Sequence, residues 1–68
     1  MSEKLKTNLV EFSDRVALVV TDLNGFRSAI ENEEITEADF DESITLLFSR
    51  LRAVEQAVEQ LGNEFWSR

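Results

Sequence analysis

The chain contains no cysteine, histidine, proline or tyrosine, and only two of its 68 residues are glycine. Without Cys there is no disulfide and no thiolate metal site. Without His the commonest metal ligand and general base is missing. Ser or Glu alone makes no base–nucleophile pair, and no glycine-rich loop is present to cradle a phosphate, so no enzymatic activity, cofactor or metal is expected. The longest unbroken apolar run, Val16 to Val20, is far short of the ~20 residues of a membrane-spanning helix. The lack of Cys and of a signal peptide points to the cytoplasm. With few helix breakers and abundant Leu, Ala, Glu, Gln and Arg, the composition favours an all-α chain.

Positive charge is also missing from one stretch. Fourteen acidic residues face seven basic ones, a net charge of −7, and no base lies between Arg27 and Arg50. That gap holds Glu31, Glu33, Glu34, Glu37, Asp39, Asp41 and Glu42, seven carboxylates that account for the whole imbalance. Residues 37–42 suit a helix N-terminus, where the macrodipole favours negative charge. Glu31, Glu33 and Glu34 fall at the C-terminal end of the preceding helix, where it does not. The seven form a candidate partner-binding acidic tip for a basic protein surface, or else a solvated loop. As a calcium site the segment lacks the glycine and the spacing of an EF-hand.

What is present is a double heptad pattern. Phe40, Ile44, Leu47, Leu51, Val54, Val58, Leu61 and Phe65 are spaced alternately four and three apart. Leu5, Leu9, Phe12, Val16, Val19, Leu23, Phe26 and Ile30 repeat those steps. In heptad notation, position a holds Leu9, Val16, Leu23 and Ile30, then Ile44, Leu51, Val58 and Phe65. Position d holds Leu5, Phe12, Val19 and Phe26, then Phe40, Leu47, Val54 and Leu61. Such seams need partner helices. Ser2 is placed to cap the first helix. Asn24-Gly25 resembles a turn, but Gly25 lies off the seam and the phase runs through it, which predicts a continuous helix. Thr36 and Asp39 make a capping box, with Ile35 and Phe40 placed as a hydrophobic staple. The expected single domain, 1–68, has helix 1 over about 2–31, a turn at about 31–36 and helix 2 over about 37–66. A single uninterrupted helix would keep the phase but place Glu33 and Glu37 in the seam.

A short turn makes the helices antiparallel neighbours, and their two seams are expected to cover each other. Leu18, Val20, Leu46 and Phe48 lie beside the seam at a similar height, and Ala17, Ala29, Ala53 and Ala57 allow close approach. Those four larger residues are the candidate oligomer interface, and the expected architecture is an antiparallel helical hairpin dimerising into a four-helix bundle. A trimer, a lone hairpin and docking on a different protein are the alternatives. Trp66 is a candidate aromatic anchor, or a cap folded over Met1 and Leu5. Arg15, Arg50 and Arg52 approach one height, and Lys4, Lys6 and Arg68 the open end. Acidic neighbours and overall acidity make direct nucleic-acid binding unexpected.

In length and layout the chain resembles the Rop-type plasmid regulators, hairpins that dimerise into four-helix bundles. No residue motif carries across, and the resemblance implies no RNA-binding function. The expected function is a non-enzymatic, self-associating coiled-coil hairpin serving as a protein–protein interaction adaptor or small assembly or inhibitor component. A phage or mobile-element inhibitor fits the same description. An acidic decoy occupying the nucleic-acid site of a basic protein, and a Rop-like RNA-binding hairpin, are the competing functions.

Overall fold

The computed structural model describes residues 3–67. The expected Ser2 cap, and the parts assigned to Met1 and Arg68, lie outside them. Two helices make up the fold: α1, Glu3–Glu31, and α2, Glu37–Trp66. They pack as an all-α hairpin 49 Å long. α1 runs unbroken through Gly25, where a Cβ would meet nothing within 4 Å. The glycine therefore faces open space and needs no turn.

The chain stops and restarts through two sets of backbone and side-chain bonds. At the end of α1 the Glu34 N–H donates to the Ala29 carbonyl at 3.0 Å and the Glu33 N–H to the Ile30 carbonyl at 3.1 Å. This is a Schellman cap. Its left-handed residue is Glu33, at φ 56°, a position that glycine fills at least cost. At the start of α2 the Asp39 N–H donates to Thr36 Oγ1 at 3.1 Å, and the Thr36 N–H reaches Asp39 Oδ2 at 3.5 Å. The capping box is therefore formed as its sequence spacing predicts.

Three cross-helix contacts set the register. Lys4 Nζ lies 3.7 Å from a Glu64 carboxylate oxygen. Arg15 Nη1 donates to the Ala53 carbonyl at 2.7 Å. The Phe26 and Phe40 rings tilt together with centroids 5.4 Å apart. Residue numbers at equal height on the two helices therefore add to about 68.

The structure corrects the expectation that the two seams cover each other. Each helix is turned so that position d, flanked by position g, faces its mate, except that Phe40, the first d residue of α2, stays exposed while its ring meets Phe26. Leu5 and Ala57 are buried, and Phe12, Val19, Phe26, Leu47, Val54 and Leu61 are half-buried. Position g supplies Arg15, Asp22 and Ala29 on α1, and Arg50 and Ala57 on α2, none of them exposed. Asp22 and Arg50 form an ion pair across the hairpin. The cause is visible in the side chains: alanine at position g allows close approach, and the Asp22–Arg50 pair ties the g rows together. Ala53 is half-buried beside this interface, whereas Ala17 is exposed and plays no part in it.

Candidate association surface

Turning d and g inward leaves position a outside. Leu9, Val16, Leu23 and Ile30 on α1, and Leu51, Val58 and Phe65 on α2, are all exposed, while Ile44 is half-buried. In an antiparallel pair joined through d and g, the a rows of both helices lie on the same broad side, about 90° from the contact at ~100° per residue. The open end shows this directly, where Leu5 and Leu9 of α1 line one apolar depression with Val58, Leu61, Phe65 and Trp66 of α2. Position e flanks that side and adds Val20 and Phe48, the latter 65% exposed. Of the fourteen exposed large apolar side chains among the described residues, nine occupy a or e. Scattered surface apolars are ordinary, but one face holding most of them is not.

This placement divides the four residues of the candidate interface between two sides, all four of them exposed. Leu18 and Leu46 occupy position c, and they line a depression on the opposite side with Arg15, Ser49, Arg50 and Ala53. Val20 and Phe48, at e, border the a rows instead. The apolar belt is thus divided between two faces, and the larger share belongs to the a rows that the expected interface omitted. Alternation of four and three alone could not reveal this, because a and d look alike in sequence. The residues at g and e carried the signal.

Trp66 does not fold over the end of the core. It is 82% exposed and meets Phe65 edge-on, with ring centroids 5.0 Å apart. Its indole edge passes 3.9 Å from where a Gly62 Cβ would stand. It remains the exposed aromatic at the open end, next to the apolar depression.

The arginines do not form a basic patch. Arg15 is engaged by Glu11 one turn earlier and by the Ala53 carbonyl, and Arg50 by Asp22. Arg52 lines a separate shallow depression with Thr45, Phe48 and Ser49. At the other end the seven carboxylates gather around the turn, all on exposed residues. One of them has a base that the sequence gap concealed: Arg27 Nε donates to Glu31 Oε1 at 2.8 Å. Among the described residues no group of three or more acidic side chains is placed to hold a metal ion, and no helix is long and apolar enough to cross a membrane. No protein family matches the chain, and no curated protein or solved structure matches it.

Proposed function

We propose that the chain is a non-enzymatic, self-associating helical hairpin, acting as a protein–protein interaction adaptor or a small assembly or inhibitor component. The observation that supports this reading is the concentration of exposed large apolar side chains on the a/e side of the hairpin. Only Leu5 and Ala57 are buried apolar residues among those described. A hairpin this small gains most of its missing core by association. Sedimentation velocity at micromolar concentration tests it: the expected mass is about twice 7.8 kDa. A stable, well-folded monomer overturns the reading.

The acidic tip supports a second contact, to a basic protein surface. Glu31 is held by Arg27, but Glu33 holds a left-handed conformation and, with Glu34, opposes the α1 dipole, so stability alone does not account for these two carboxylates. Binding through the tip is expected to weaken steeply with salt, whereas association through the apolar side is not. Partner binding that is insensitive to salt removes the tip from the function.

A further inference from the structure

We propose that the a/e side of the hairpin is covered by a second copy of the chain, with α1 of each copy against α2 of the other and both acidic tips at the same end. This rests on the self-association reading and adds the face, the pairing and the direction.

Size comes first. The hairpin is 49 Å long and 15 Å wide between backbone extremes, so one broad side covers on the order of 700 Å², close to the ~800 Å² per partner of a standard stable interface. A two-fold dimer presents the same patch on both copies, and this patch is apolar along its middle.

Position e then selects the pairing. In antiparallel helix pairs, g lies beside g across one contact and e beside e across the other. The Asp22–Arg50 pair shows g flanking the contact inside the hairpin, which leaves e to flank a second contact. On α1 the e row is Lys6, Ser13, Val20 and Arg27; on α2 it is Asp41, Phe48, Glu55 and Gly62. The charges on α1 are positive, each also paired within its own helix, Lys6 with Glu3 and Arg27 with Glu31, and those on α2 are negative. Because residues at equal height add to about 68, α1 laid on the partner's α2 sets Val20 beside Phe48 and Arg27 beside Asp41. The opposite direction lays α1 on α1 and sets Lys6 near Arg27, a like-charge contact.

Crowding of two acidic tips opposes the chosen direction. Those carboxylates belong to exposed residues, and charges more than about 8 Å apart are largely screened at physiological salt. The e-row charges flank the contact at closer range, where screening is weaker. Such a dimer presents two tips as one anionic end, which doubles the contact available to a basic partner.

The chain has no native cysteine, so Asn32→Cys places one spin label per copy beside the turn. Electron–electron dipolar spectroscopy on the labelled dimer is expected to give a separation below about 25 Å, the scale of a bundle whose helices lie ~10 Å apart. A separation near the 49 Å length overturns the direction while leaving self-association intact. A monomer mass overturns both readings. A charge swap gives an independent check. Arg27→Glu is expected to weaken association roughly 3- to 10-fold, and Asp41→Arg added to it to recover most of the loss. Failure of the double variant to recover overturns the e-row pairing.

Discussion

The two broad sides of the hairpin share the same helices and the same length, yet they differ in kind. One side carries the a rows with Val20 and Phe48, and is apolar along most of its length. The other carries position c, where Leu18 and Leu46 sit among Arg15, Arg50 and Ser49. The difference arises from the rotation of each helix about its own axis, which is set at position g. Where g is alanine, or a cross-helix ion pair, the helices close through d and g. A seam that would have closed a two-stranded coil on itself then has its a half exposed.

The sharpest way to break this contrast is to place a charge on each side in turn. Leu51→Glu, in the middle of the a row, is expected to weaken self-association at least ~100-fold, because a carboxylate would be buried unpaired in both copies. Leu46→Glu, on the other side, is expected to change it less than ~3-fold, as surface substitutions generally do. Sedimentation equilibrium of the two variants decides. Equal disruption would show that the sides do not differ in role.

Changes at the turn sharpen the contrast by leaving both sides alone. Thr36→Ala removes the hydroxyl that receives the Asp39 N–H and is expected to cost about 1 kcal/mol of stability. Denaturant unfolding measures it; no loss would mean that the cap is not needed. Glu33→Gly relieves the left-handed residue and is expected to gain about 0.5–1 kcal/mol in the same measurement. Glu34→Lys, at the C-terminal end of α1, is expected to gain about 0.3–1 kcal/mol at low salt and less at high salt. A loss of stability in either variant would assign the tip a structural part.

The helices and their limits were legible because local signals agreed. Thr36, Asp39 and the Ile35–Phe40 spacing all point to a restart at 37, and the phase through Gly25 outweighs the Asn-Gly dipeptide. The rotation of the helices was not legible from apolar spacing, since Val16 and Val19 are equivalent until a neighbour is chosen. Asp22 with Arg50 made that choice, a pair separated by 28 positions and joined only by folding. Nor did sequence alone mark Glu33 as left-handed, because its side chain is a poor fit for that conformation and the cap geometry imposes it. Position b already puts Trp66 off the core face in the sequence, and of its two expected parts, anchor or end cap, its 82% exposure leaves it uncovered.

The turn has one more consequence. From Ile30 to Phe40 the heptad phase continues unchanged, so a chain that straightened through residues 32–36 would present the same rows along one long rod. Two such rods can exchange their second halves and rebuild every d–g contact between chains instead of within one, the condition for domain swapping. Such an exchange would first give up the two backbone bonds closing over Glu33, the reciprocal pair between Thr36 and Asp39, and every contact between α1 and α2 within one chain. The closed hairpin seen here therefore depends on Glu33 and Thr36 holding a turn that the apolar pattern alone does not require.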